Sequence, residues 1–233
     1  MNKLRKLFSL LCALMALSAS AQVRYCVSYE DFMEGRWLSL DSVDVNTRSA
    51  QSKFWWGGND YTLKGADKSI DKILKKEAFA VLADHRLFVN CHKLKIDGAK
   101  FGNGYVQAMM LGKKGLVFAN RKTGSAQSDE VFAAGFFFGA AGAAIAVSNQ
   151  LKNQVCYLIT KGTDGKKDFD IKALDDKMVS KFLLKYPDLL DDYYFETNPS
   201  KRMEAAHIMP LLKKAGLFTK TNQVFNETTE ETN

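Results

Sequence analysis

Apolar residues in this chain fall mainly in short runs bounded by glycine, asparagine and aspartate, a pattern that predicts strands joined by tight turns. Tyr25–Val27 reads as a short strand and Tyr29–Met33 as a short helix that Gly35 ends. Lys53–Trp56 and Tyr61–Leu63 read as strands on either side of Gly57, Gly58, Asn59 and Asp60, residue types that tolerate the positive φ of a tight turn. Arg86–Ile96 and Gly104–Ala119 read as further strands. The second folds on itself at Gly112–Gly115, pairing Tyr105, Val106 and Met109–Leu111 with Leu116–Phe118. Val155–Thr160 and Lys167–Ile171 form another hairpin around Asp164 and Gly165.

Helical spacing appears at Ile70, Ile73, Leu74, Ala78 and Val81, with Lys68, Lys72, Lys75 and Lys76 off that stripe and Asp67 or Ser69 as the cap. This predicts an amphipathic helix lying on a sheet. Two helices close the chain. The first begins at Asp175 and is interrupted by Pro187; the second opens at Asn198 and Pro199 and stops at Gly216. Between the hairpins, Phe132–Val147 is a Gly/Ala-rich apolar run with Gly135, Gly139, Gly142 and Ala146 on one narrow face, flanked by Phe132, Phe136 and Phe138. Such a face lets another backbone approach closely, and it is the chain's expected packing or association face. As a helix it would rise about 24 Å, short of the ~30 Å hydrocarbon core, so a buried helix packed on the sheet is favoured over membrane association. The expected fold is α+β: antiparallel hairpins forming a sheet, packed against the amphipathic helix, the apolar helix and the C-terminal helices.

The amino terminus changes the setting. Lys3, Arg5 and Lys6 precede an apolar run from Leu7 to Leu17, and Ala19, Ser20 and Ala21 close it with an A-x-A pattern. That is the form of a secretory signal peptide, with Gln22 as the first mature residue. Cys12 follows Leu11, which is too large for a lipid-modification site. The organisation read from the sequence is a signal peptide at 1–21, one α+β domain at 22–218 and a disordered polar tail at 219–233. The location is the periplasm or the extracellular side of the cell envelope. Three of the formal charges in the total of +7 belong to the leader, which leaves a mild +4 on the mature chain. Its lysines are scattered among acids, without the basic stripe and reading element of a nucleic-acid protein. Cys26, Cys91 and Cys156 are an odd set in an exported chain, and their apolar neighbours mark them as small core residues.

No catalytic constellation, cofactor motif or metal-ligand spacing is present. His85, His92 and His207 are the only histidines. Cys91 and His92 combine a thiol with an imidazole, the chemistry of cysteine hydrolases and zinc ligation, but adjacent strand residues point to opposite faces. The most suggestive surface group is Trp55, Trp56, Asn59, Asp60 and Tyr61, which unites flat aromatic platforms with amide and carboxylate partners. Such a mixture suits a glycan or peptide contact, whereas a tryptophan anchor beside a hairpin is the structural alternative.

Tyr25–Phe32, Trp55–Tyr61, Leu87–Cys91 and Cys156–Ile159, followed by a helix containing Tyr186, Pro187, Asp188 and Leu189, resemble a family of exported proteins from the Bacteroidota with no assigned activity. The resemblance covers most of the mature chain. It implies an address and a fold, and no catalytic residue. The expectation is an exported envelope protein that works by binding or as structure, with an envelope protein or a glycan as partner. The alternative is a glycan-binding module or a hydrolase with a dispersed site near Trp55 and Trp56.

Overall fold

The computed structural model describes residues 23–49, 59–113, 115–122, 154–163, 165 and 167–219. In chain order the strands are β1 (Val23–Cys26), β2 (Leu38–Leu40), β3 (Val43–Thr47), β4 (Tyr61–Gly65), β5 (Ala80–Ala83), β6 (Arg86–Asn90), β7 (Lys95–Ile96), β8 (Ala99–Lys100), β9 (Tyr105–Leu111), β10 (Gly115–Arg121), β11 (Gln154–Lys161), β12 (Phe169–Ala173) and β13 (Phe218–Thr219). The helices are α1 (Tyr29–Met33), α2 (Lys68–Lys72), α3 (Asp176–Leu183), α4 (Pro187–Phe195), α5 (Pro199–Arg202) and α6 (Ala205–Lys214). The expected α+β class is what the chain adopts. Eleven strands form one antiparallel sheet with the order β2-β1-β5-β6-β9-β10-β11-β12, to which β3, β4 and β13 attach.

β9 organises this sheet because both of its edges change partner along its length. Ala108 lies between Leu87 of β6 and Phe118 of β10. Tyr105 instead lies between Asn90 of β6 and Tyr61 of β4, and Leu111 between Gly115 of β10 and Phe218 of β13. One strand thereby serves four neighbours. The ends of the sheet also meet: the Asp168 carboxylate, just before β12, accepts from the Tyr29 and Glu30 amides of α1 at 2.8 and 3.1 Å. Phe169 then reaches the Phe79 ring at a centroid distance of 5.2 Å.

Alternation along each strand sends side chains to two cores. One face carries Cys26, Ala80, Leu87, Val89, Val106, Ala108, Leu116, Phe118, Tyr157 and Ile159. The curled sheet encloses them with Tyr29, Phe32, Phe79 and Phe101, and rings meet edge to face, as do Phe101 and Tyr157 at 4.7 Å. The opposite face is covered in two places. Ile70 and Leu74 of the α2 segment pack on Tyr25, Val81, Phe88 and Tyr105, while α3, α4 and α6 pack on Val117, Cys156 and Leu158.

Several elements differ from the sequence reading. The amphipathic helix does not run to Val81. It ends in a π turn, Ile73–Glu77, and Val81 lies on β5. Leu63 is in a strand as expected, but that strand pairs with β3. Arg86–Ile96 is split by a 3-10 turn at Cys91–Lys93, and the C-terminal pair of helices is four, since Pro187 and Pro199 each open a helix at the position where a missing N–H is harmless. The antiparallel pairings of β9 with β10 and of β11 with β12 are as expected.

Gly104 allows β4 to meet β9. Its φ is +92°, and a Cβ there would lie 2.8 Å from the Tyr61 carbonyl oxygen. Gly104→Ala is therefore expected to destabilise the fold by about 1–3 kcal/mol, the usual scale of a side chain forced into this backbone region. Urea unfolding of the two proteins measures it, and equal midpoints would contradict this account of the junction.

Candidate functional site

The expected binding group lies only in part among the described residues. Trp55 and Trp56 lie outside the described residues, as do Gly135, Gly139, Gly142 and Ala146 and the whole of Phe132–Val147. Asn59, Asp60 and Tyr61 are described, and they do three different things.

Asn59 is a buried connector. Its Nδ2 donates to the Phe101 and Asn103 carbonyls at 2.9 and 3.0 Å, its backbone N–H donates to Asn103 at 2.8 Å, and its Oδ1 accepts from Asn120 Nδ2 at 2.8 Å. Asn120 completes the connection by accepting the Arg121 amide on Oδ1 at 2.7 Å. Buried amides joined in this way fix chain segments that are far apart in sequence, and truncating one would leave the others unpaired. Asn59 thus holds the end of the sheet, where the β8–β9 connection passes, with its amide engaged in these internal bonds. Asp60 uses its carbonyl to accept the Arg48 amide at 2.8 Å.

Cys91 lies beside the same network, with its sulfur 3.8 Å from Asn120 Nδ2. It is fully buried, and burial foremost pushes its thiol up, with the Asp60 charge adding to the effect. A thiol held protonated in this way is the reverse of a nucleophile, which needs a depressed pKa. His92 is exposed and contacts the Asn103 side chain through Nδ1 at 3.2 Å. The two side chains do diverge, but a 3-10 turn separates them and not strand alternation.

Tyr61 stands on the opposite sheet face from the aromatic core. Its ring meets Phe88 at 5.1 Å, tilted 66°, and the Arg86 guanidinium lies 5.2 Å from the Phe88 centroid and 6.0 Å from that of Tyr61. Arg86 also pairs with Asp84 at 3.2 Å. Gln107 is exposed, lies opposite Phe88 in the β6–β9 register and approaches the Tyr61 hydroxyl at 3.5 Å. Burial raises the Tyr61 pKa, Asp60 raises it further and Arg86 lowers it. The result is a small surface strip of a phenol, a guanidinium held by ring contacts, a primary amide and a carboxylate. Arg86 and Gln107 escaped the sequence reading. Their strands were legible, but nothing in the order of residues told which strands are neighbours.

A second polar cluster ties the C-terminal helices together. Arg202 forks onto Asp176 at 2.6 and 3.1 Å and donates to the Glu196 carbonyl at 3.1 Å, while the Tyr193 hydroxyl also donates to Asp176. These bonds, that from Arg202 foremost, hold the Asp176 carboxyl below the usual carboxylate range. Every member is engaged with another, which makes this a clamp between α3, α4 and α5.

Among the described residues no group of three or more His, Cys, Asp or Glu side chains is placed to hold a metal, and no helix is long and apolar enough to cross a membrane. Comparison with known proteins adds one match: the model of a family described only as of unknown function covers residues 24–219. No curated protein and no solved structure matches the chain.

The cysteines generate a pH prediction. Burial pushes Cys26 and Cys156 from the ordinary value of 9.0 up to about 12. Below pH 9 these thiols are protonated whether the chain is folded or not, so they impose no slope. Between about 9 and 12 the unfolded chain loses protons that the native one keeps, and stability falls by about 1.4 kcal/mol per pH unit for each such thiol. Urea midpoints measured across this range should drop, and Cys156→Ala should make the drop shallower. An unchanged slope in that variant would contradict the buried, protonated thiol.

Proposed function

We infer the role of this chain, which belongs to the DUF6563 family of unknown function, from its own residues: it is an exported protein of the cell envelope that acts by binding or as a structural element, without catalysis. The observation that carries the export half is the leader at 1–21, with its basic start, apolar centre and A-x-A end. Support for the second half is the use to which the chemistry-bearing residues are put. Cys91 is buried with its thiol pushed up, and Asn59 and Asn120 are bound to each other and to backbone. What remains open to solvent beside the expected turn is a recognition surface, not a reactive group.

A glycan is the second reading, and Tyr61 favours it. An aromatic ring flanked by Gln107, Arg86 and Asp84 offers an apolar edge together with planar hydrogen-bonding groups, the combination that sugar hydroxyls and C–H faces require. Trp55 and Trp56 precede Tyr61 by a few residues in the sequence.

The test is fractionation of the producing cell followed by N-terminal sequencing. The protein is expected in the periplasm, envelope or medium with Gln22 at its amino terminus. Recovery from the cytoplasm with Met1 retained would overturn the export reading. On the recovered protein, a glycan array separates the two binding readings: sugar binding that is lost in Tyr61→Ala and Arg86→Ala supports the second, and silence across the array removes it.

A further inference from the structure

The lysines of the α2 segment, interspersed with acids in the sequence, share the exposed side of the folded segment. Lys68, Lys72, Lys75 and Lys76 recur at helical intervals, all four are exposed, and Ile70 and Leu74 on the other side are buried. None of the four is ion-paired with any described residue. The nearest acids in sequence serve the backbone. Asp67 caps α2 by accepting from Ser69 and Ile70 at 2.7 and 3.0 Å, and Asp71 accepts the Gly65 amide at 2.8 Å. Glu77 is exposed at the far end of the π turn.

The backbone beneath these lysines is tied to the main sheet. In the π turn Ala78 donates to the Ile73 carbonyl at 2.9 Å, one residue farther than an α-helix would reach. The displaced Leu74 carbonyl accepts from Asn90 Nδ2 at 3.0 Å and from the Tyr105 hydroxyl, and Asn90 also donates to the Ala78 carbonyl at 2.9 Å. Two buried side chains of the main sheet therefore lock the helix at the residues between which Lys75 and Lys76 lie. Lysines held on an exposed face, with no aromatic or arginine fork among them, suit a diffuse array of phosphates better than one ligand with fixed geometry.

We propose that the Lys68–Lys76 face is a docking surface for an anionic lipid bilayer, through its phosphate headgroups. Each lysine near such a surface adds to the attraction independently, and salt weakens it. With four lysines set against the carboxylates of Asp67, Asp71 and Glu77 on the same segment, the attachment is weak and reversible, distinct from insertion. It goes beyond the binding role inferred above and stands whether or not Tyr61 contacts a glycan.

The experiment is co-sedimentation of the purified full chain with phosphatidylglycerol–phosphatidylcholine vesicles, against pure phosphatidylcholine, with every variant carrying the same amino terminus. Wild type should pellet with the anionic vesicles only, and raising the salt should release it. Changing the four lysines together to glutamine should weaken binding by about tenfold or more, and changing them to arginine should preserve it. Circular dichroism of both variants checks that the fold is retained; if the glutamine set unfolds, Lys68→Gln and Lys72→Gln alone should still each reduce binding. Equal binding to neutral vesicles, or undiminished binding by the folded glutamine variant, overturns the proposal. So does a chain that ignores vesicles yet binds soluble polyphosphate through the same lysines, which would mark a free phosphate ligand.

Discussion

Every layer of this structure depends on the double use of β9. A strand has two edges, and here each is divided: β6 then β13 along one, β4 then β10 along the other. That division lets a meander of short strands curl until Asp168 near one end binds the α1 amides near the other. Curling creates an enclosed face, and the enclosed face is where Phe79, Phe101, Phe118 and Tyr157 are buried. The outer face then has to be covered in separate patches, which the α2 segment and the C-terminal helices supply.

This arrangement has a functional consequence. The enclosed face is packed with mutually contacting rings, so the binding role proposed above would fall to the outside of the sheet and its helices. Polar side chains that reach inward are structural in the same sense. Asn90 and Tyr105 satisfy the carbonyl displaced by the π turn, and Asn59 and Asn120 join the β4 and β10 ends. Among the described residues, that proposal draws on outward-facing groups: Tyr61, Arg86 and Gln107, and the lysines of the α2 segment.

Much of the sheet could be read from local chemistry, and the failures have physical causes. The hairpin at Gly112 was legible because Gly112 and Gly115 stand between two apolar runs, and in the structure Gly112 takes a φ of +61°. Residues 38–40 and 43–47 escaped because their side chains are mostly solvent-exposed, so the hydrophobic alternation that marks a strand is weak there. The helix was carried too far, to Val81, because its apolar residues keep helical spacing while the chain has already turned into β5 through a π turn. Nothing in local periodicity distinguishes i+4 from i+5 bonding. Asn59 was legible as a turn residue and not as a buried connector, since its partner Asn120 lies 61 residues away. Cys91 was legible as core from its apolar neighbours.

Amide hydrogen exchange along Tyr105–Leu111 tests the central claim most directly. Strands bonded on both edges open only when the surrounding sheet opens, so their amides exchange near the global unfolding limit. The account predicts that the paired amides of β9 are among the slowest in the protein, and slower than those of the β7–β8 hairpin, which stands apart as a separate two-stranded sheet. Exchange in β9 as fast as in that hairpin would contradict its place at the centre of the fold.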